Sequence, residues 1–319
     1  MQVLRHWGDN VGVLTIPGAF RMSFRATIRR AALLFVFLVP MLAFAAGPKT
    51  AEIVFMTDFG SNNDAVPICK GVMWQVAPDA KIIDLTHDVT PFSIIDGARF
   101  LAGTSPYYPE GTVFVVVIDP TVGSTRKAIV AKSKKNQYFI LPDNGLLTFV
   151  QDRDGIEGVH EITSKDFMIG SGMSSTFHGR DIFSPAGAHV AKGDDWTKAG
   201  PEVPVSQLVR LNVPQATVAD SKLAGKIIGI DVPFGNLITN VSRDDWAKLG
   251  YQVGDTVPVT LGATEMEIPI VKTFSDVEIG KPLLFIDSRG RLSFALNQND
   301  FAKTYNIKPP ASFTIPAKK

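Results

Sequence analysis

The sequence predicts an α/β protein: an amino-terminal domain around a mostly parallel sheet, followed by a smaller carboxyl-terminal β-barrel domain. Three observations predict it. From Glu52 onward, short apolar runs that each end in a polar cluster alternate with segments of helical spacing, the pattern of a parallel sheet with crossover helices. After Val213–Leu223 the pattern changes to alternating strands and a hairpin signal. The chain has 319 residues, and at roughly 150 residues per domain that suggests two domains.

The chain opens on a segment outside the fold. Arg25, Arg29 and Arg30 precede the apolar run Ala31–Ala46, interrupted by Pro40 and ending in Ala43-Phe44-Ala45. A basic region, a short apolar region and an A-x-A site are the order of a signal peptide, and the run is too short for a spanning helix of about 20 residues. Residues 1–45 are therefore expected to be a cleaved leader, and the mature protein to be exported, periplasmic or secreted, without a stable membrane anchor. Met22 is an alternative start. Residues 1–45 hold five Arg and one Asp, so the mature chain carries 27 basic against 30 acidic residues. That balance gives no basic face for nucleic acid. The single cysteine, Cys69, excludes an internal disulfide framework and a cysteine-rich metal site.

In the amino-terminal domain, read as residues 50–215, four runs are strands. Ile53–Met56 leads into Thr57-Asp58-Phe59-Gly60, and Lys81–Ile83 into Asp84-Leu85-Thr86-His87-Asp88. Val113–Ile118 leads into Asp119-Pro120, and Tyr138–Leu141 into Pro142-Asp143-Asn144-Gly145. Between them, Val66, Cys69, Val72, Met73 and Val76 mark one helix, and Ile94, Ile95, Ala98, Leu101 and Ala102 another. Ile182–Ala191 reads as a third. Val213–Leu223 is polar, lacks a period and reads as a linker. In the carboxyl-terminal domain, read as residues 222–319, Lys226–Ile230 is a strand ending in Asp231. Ser242 with Asp245 resembles a helix cap, and Gly250 is the stop. Val257, Val259 and Leu261 alternate, as do Met266, Ile268 and Ile270, with Gly262-Ala263-Thr264 between them. That is a hairpin.

In parallel sheets ligands sit at the carboxyl ends of the strands, where the Asp, His and Asn clusters fall. Asp58, Asp84, His87, Asp88, Asp119, Asp143, His178 and Asp181 leave a two-metal phosphoesterase open, since such side chains bind metals. The spacing weakens it: no H-x-H, H-E-x-x-H or D-x-H motif follows a strand. Asp119 is sharper. It ends the most hydrophobic strand, and Arg126 follows seven residues later, across a loop containing Gly123 that can fold the guanidinium back onto the carboxylate. His178-Gly179 precedes the third helix, and Gly179 would permit close backbone approach to a ligand.

The segments TDFG (57–60), PFSIIDGA (91–98), YYPEGTVFVVVIDPTVGSTR (107–126), PDNGLLT (142–148), TFHGRDIFSPAGA (176–188), DVPFGNLITN (231–240) and DSRGRLSFALN (287–297) together resemble the S-adenosyl-L-methionine hydroxide adenosyltransferase family. That family is related to the S-adenosylmethionine-dependent fluorinase and chlorinase. The resemblance covers essentially all of residues 51–310, in order. It implies an α/β domain plus a β-barrel, a homotrimer with sites between subunits, and hydrolysis of S-adenosyl-L-methionine to adenosine and L-methionine without cofactor or metal. It implies Asp119, Arg126 and His178 as the catalytic set. Halogenase relatives carry tyrosine in place of Asp119, and the fluorinase has Tyr-Ser in place of His178-Gly179. Asp58 is implied at the ribose diol, and Phe92 replaces a tryptophan near the ligand. Phe234 and Asn236 are implied at the adenine, Asp231 and Ser288 at the methionine ammonium, and Arg289 near its carboxylate. Asn63, Asp287 and Ser293 depart from family patterns. An exported binding protein without turnover remains the alternative.

Overall fold

The computed structural model describes residues 51–319. The expected leader and its cleavage signal lie outside the described residues. The described residues belong to one compact unit.

The amino-terminal part runs β1 (Ile53–Thr57), α1 (Ala65–Val76), β2 (Ile82–Thr86), α2 (Ile94–Thr104), β3 (Val113–Val117), β4 (Ala128–Ser133), β5 (Tyr138–Pro142), α3 (Thr148–Asp154), β6 (Ile156–Glu161) and α4 (Ser184–Lys192). Its sheet has the order β2-β1-β3-β5-β4-β6. β1 pairs in parallel with β2 and β3, and β3 with β5. β4 is the reversed strand, antiparallel to β5 and β6. Every residue of β1 and β3 is buried, because helices cover both faces. Ile53, Phe55, Val113 and Val115 point to one face, with Cys69 and Met73 of α1 and Ala188 of α4. Val54, Met56, Phe114 and Val116 point to the other, with Leu101 of α2 and Val150 of α3. The period-two alternation of a strand sorts these residues between two cores.

The carboxyl-terminal part contains β7 (Thr217–Ala219), β8 (Lys222–Asp231), β9 (Asn236–Ser242), α5 (Arg243–Ala247), β10 (Thr256–Leu261), β11 (Thr264–Pro269), β12 (Pro282–Ile286), β13 (Arg291–Leu296), α6 (Phe301–Thr304) and β14 (Ala311–Pro316). The order is β11-β10-β14-β8-β9-β13-β12, with β7 added to β8. A bridge between Ile270 and Leu284 brings the two edges together, so the sheet is nearly closed. Leu237, Val257, Ile268, Phe294 and Phe313 fill it. Ser242 caps α5 by accepting the Asp245 N–H at 3.1 Å. The expected hairpin is β10–β11, and its register pairs Leu261 with Thr264.

The structure adds a strand inside the polar stretch Val213–Leu223. Thr217–Ala219 pairs with Lys222–Ala224. It is three residues long and largely exposed, too short to show a hydrophobic period.

Candidate active site

Asp58 and Asp119 leave the sheet at its carboxyl edge. Thr57 of β1 pairs with Val117 of β3, so the two aspartates that follow these strands come from neighbouring, parallel strand ends. The Asp58 loop is fixed from below. Thr57 Oγ1 lies 2.9 Å from Nδ1 of His87, and His87 Nε2 lies 3.1 Å from Asp84 Oδ1. Thr57 Oγ1 also accepts the Phe59 N–H, and the His87 carbonyl accepts the Gly60 N–H. Asp84 is further held by Lys70 at 2.6 Å. His87, Asp84 and Asp88 thus tie the β2 loop to the β1 loop, Asp88 through Ser61. Among the described residues no group of three or more His, Cys, Asp or Glu converges as metal ligands would.

Asp58 Oδ2 accepts the backbone N–H of Phe92 at 2.9 Å. Phe92 has φ +66° and is 73% exposed. A bulky residue in the left-handed region is uncommon and costs of order 1–3 kcal/mol; the bond to Asp58 helps hold it there and keeps an uncovered aromatic ring beside the Asp58 loop.

Asp119 and Arg126 form a two-pronged pair. Oδ1 accepts from Nε at 2.9 Å and Oδ2 accepts from Nη2. Nη1 donates to the Lys127 carbonyl at 3.0 Å. Both side chains are nearly covered, at 4% exposure for Asp119 and 8% for Arg126. Burial pushes the Asp119 carboxyl above its ordinary value, against the pull of Arg126, the Thr121 N–H and His178. His178 moves the other way. Burial and the Arg126 charge hold its imidazole below the ordinary value, opposed by Asp119 and Asp181. A neutral imidazole beside a carboxylate–guanidinium pair follows, a group that can accept a hydrogen bond from water near neutral pH.

Two loops bring His178 to that pair. Gly123, at φ +83°, lies so close to the other loop that a Cβ there would sit 2.5 Å from the Ser175 carbonyl oxygen. Asp181, fully buried, accepts the Ser174 N–H at 2.6 Å and pairs with Arg180. His178 leads into a single π-helical turn, Gly179–Phe183, before α4; such turns recur at functional sites. Gly179 also has a packing task. A Cβ on it would sit 2.9 Å from Phe59 Cζ, so the residue makes room for the ring next to Asp58.

The remaining candidates fall into two other places. Asp231, Phe234 and Asn236 surround the β8–β9 turn, where Asn236 Nδ2 donates to Asp231 Oδ2 at 3.4 Å. They line a cavity of about 1040 Å3 with Phe274, Asn297 and Gln298. Ser288 and Arg289 lie on the β12–β13 turn, whose Gly290 carbonyl accepts the Arg243 N–H at 2.9 Å. That is the opposite end of β9 from Asn236, roughly 20 Å away at about 3.4 Å per residue. Within one chain Asp231 and Ser288 therefore do not meet at a common ammonium group.

Asp143, which the sequence offers only among the candidate metal ligands, belongs beside the catalytic set. It follows β5, accepts the Val209 N–H at 3.0 Å, and burial lifts its carboxyl against that bond and the charges of Lys127 and Arg126. Its signal was present: an Asp one residue past a buried strand. Thr57 carried no such signal, since its role depends on His87, 30 residues away.

Models of the SAM hydroxide adenosyltransferase N-terminal and C-terminal domains match residues 53–200 and 225–314. A fluorinase from Actinopolyspora mzabensis is 32% identical over 288 residues, covering 82% of this chain and 96% of that protein. An (R)-S-adenosyl-L-methionine hydrolase from Salinispora arenicola is 35% identical over 270 residues, covering 84% and 99%. A crystal structure of an uncharacterized conserved protein from Thermotoga maritima is 36% identical, with a TM-score of 0.77 over 83% of this chain and 99% of that one.

Proposed function

The chain belongs to the SAM hydroxide adenosyltransferase family, and from that premise we propose that it hydrolyses S-adenosyl-L-methionine to adenosine and L-methionine. The observation that carries this reading is the buried Asp119–Arg126 pair with His178 electrostatically coupled to it, next to Asp58 at the carboxyl ends of adjacent strands.

Water attacks C5′ in line with the sulfur, the C–S bond breaks, and methionine leaves as a neutral thioether, so the leaving group needs no acid. The water's proton is the difficulty. Bulk water has a pKa near 15.7 and a carboxylate one near 3.9, so full transfer beforehand would cost about 16 kcal/mol. Asp119 instead accepts the proton as the C–O bond forms. Its raised value narrows the gap in the favourable direction. Arg126 fixes the carboxylate, and neutral His178 orients the water. Asp58 takes the ribose hydroxyls, with Phe92 beside it. Phe234 and Asn236 hold the adenine, while Asp231, Ser288 and Arg289 serve the methionine end. No metal step enters, and the loop carboxylates Asp84 and Asp88 are already engaged by Lys70, His87 and Ser61.

The site is shared between copies in this reading, as a homotrimer. What supports it is the separation of the two halves: the cavity holding Phe234 and Asn236 includes none of Asp58, Asp119, Arg126 or His178. Phe234 is 65% exposed and Phe92 73%, as apolar residues awaiting a cover would be. Asp119→Asn and Asn236→Ala chains, each inactive alone, should regain activity when mixed and reassembled. A fully active monomer by light scattering would sink the shared site. Export rests on the leader sequence alone, and amino-terminal sequencing near Ala46 tests it.

The decisive experiment is a time course of purified mature protein with S-adenosyl-L-methionine, separating products by chromatography. Adenosine and methionine should appear in equal amounts, unaffected by a chelator. Substrate retained without adenosine release would favour a binding protein; loss of activity with chelator would favour metal chemistry.

A further inference from the structure

We propose that Asp143 and Asn144, the two residues that follow β5, are positioning residues for the catalytic pair. They set the spacing between the end of β3, which leads into Asp119, and the start of β4, which Arg126 precedes. The kinetic consequences rest on the hydrolase reading; the geometry rests on hydrogen bonds alone. Ile118, fully buried, precedes Asp119, and its carbonyl accepts from Asn144 Nδ2 at 2.9 Å. Lys127 follows Arg126, and its carbonyl accepts the Asp143 N–H at 2.9 Å. One dipeptide therefore holds the main chain next to each member of the pair.

The strand registers show why these bonds matter. Val115 with Ile140 is the last of the parallel β3–β5 pairs, and Ala128 with Pro142 ends the antiparallel β4–β5 pairing. Asp143 continues the second ladder by one main-chain bond. Beyond the end of the first ladder, the Asn144 side-chain amide stands in for the main chain. The Lys127 carbonyl also accepts Arg126 Nη1 at 3.0 Å, so the guanidinium and the Asp143 N–H share one acceptor. Displacing Asp143 moves the group that aims the fork. Asn144 Oδ1 is buried without a partner. An amide that leaves its oxygen unsatisfied is a costly way to stabilise a loop; its satisfied end is the one on Ile118.

The dipeptide is itself clamped by the segment Val209–Leu211. Asp143 Oδ1 accepts the Val209 N–H at 3.0 Å. Thr148 Oγ1 accepts the Leu211 N–H at 2.9 Å and donates to the Gly145 carbonyl at 2.7 Å. Gly145 has φ +105°, and a Cβ there would lie 2.9 Å from Leu211 Cγ, so the turn closes directly against that segment. The buried Asp143 carboxyl faces the Val209 N–H and the charges of Lys127 and Arg126. The Asp58 loop is held separately, by Thr57 and His87. Loosening the dipeptide should therefore disturb the catalytic pair and leave ribose binding intact.

Asn144→Ala and Asp143→Ala test this, with Asp143→Asn keeping an acceptor for the Val209 N–H. In both alanine variants kcat should fall by about tenfold or more, the cost of stranding a buried hydrogen-bonding group. KM, and the affinity for adenosine by calorimetry, should stay near wild type. Asp143→Asn should recover most of the loss. A second measurement needs no turnover: exchange of the Arg126 Nε proton with solvent, followed by NMR and assigned by its absence in Arg126→Lys. In the wild type Asp119 holds that proton; in both alanine variants its exchange should quicken by about tenfold or more. Where one alanine variant fails to fold, the other carries the test. Unchanged kcat with unchanged exchange overturns the proposal. So does a loss of adenosine affinity in step with kcat at unchanged exchange, which is general loosening. Asp143→Asn as slow as Asp143→Ala also overturns it, by assigning the effect to charge. A wild type that releases no adenosine removes the hydrolase reading instead, and the exchange measurement still decides the positioning.

Discussion

Arg126 reaches back seven residues to hold both carboxylate oxygens of Asp119, through Nε on one and Nη2 on the other. The fork does two things at once. It fixes the plane of the carboxylate and offsets its charge in a place where both side chains are nearly covered.

Arg126→Lys therefore should not be a conservative change. Lysine offers a point charge where two parallel N–H bonds are needed. A charge-assisted bond is worth about 1.5–3 kcal/mol, so turnover should fall by roughly 10- to 150-fold. KM should stay near the wild-type value, because Arg126 touches Asp119 and not the substrate's recognition groups. Steady-state kinetics on Arg126→Lys and the wild type checks it, and an unchanged kcat would contradict the role given to the fork.

Asp58→Ala should weaken adenosine as well as S-adenosyl-L-methionine, by about 10- to 150-fold if one charge-assisted bond is lost. The same change removes the acceptor of the Phe92 N–H. Asp58→Asn keeps that acceptor and should recover part of the affinity. Calorimetry with adenosine, which lacks the methionine end, isolates the ribose contribution. Equal affinity in Asp58→Ala and wild type would remove Asp58 from the site.

Gly179 gives a packing test. A Cβ there would sit 2.9 Å from Phe59 Cζ and 3.2 Å from Cε2. Since the ring tip can move, Gly179→Ala should cost about 1 kcal/mol, near the lower end for overpacking. Gly179→Ser should cost the same and produce no 5′-halo-adenosine at saturating chloride or fluoride, because the added hydroxyl arrives only with a displaced ring. Phe59→Leu in the same chain should restore most of the loss. Denaturant melts of the four chains form a cycle, and additive losses would show that Gly179 and Phe59 are not coupled.

The fold was legible where burial dictates composition. β1 and β3 are covered on both faces, so they read as unbroken apolar runs, and Val257, Val259 and Leu261 alternate because one face of β10 is buried. β4 and β6, which form the antiparallel end of the sheet, did not stand out: β6 alternates small, charged and apolar residues. In the site, Asp119 and Arg126 were legible because their partner is local in sequence. Thr57 and His87 were not legible as a pair, being joined only by the strand register. Nor does any local pattern show that Asp231 and Ser288 lie at opposite ends of β9, since a bulge in the β9–β13 pairing intervenes.

The pH profile follows from two shifts of opposite sign. Asp119 must be ionised to accept a proton, and burial raises its carboxyl above the ordinary 3.8. His178 must be neutral to accept a hydrogen bond from the water, and burial with the Arg126 charge lowers its imidazole below 6.5. As pH falls, neutral His178 therefore survives past the ordinary imidazole midpoint, and ionised Asp119 is lost earlier than an ordinary aspartate would be. Both requirements fail on the acid side. The rate should be flat from about pH 6.5 to 8.5 and fall on one acid limb below that range. Asp119→Asn should lower the plateau by about 10²- to 10⁴-fold, the usual loss for a general base, and leave only the shallower limb of His178. His178→Ala should lower the plateau less and leave the limb of Asp119. Initial rates of adenosine formation from pH 4.5 to about 9 measure all three profiles. A midpoint at or above the ordinary histidine value in the wild type, or a near-normal plateau in Asp119→Asn, would reassign the base.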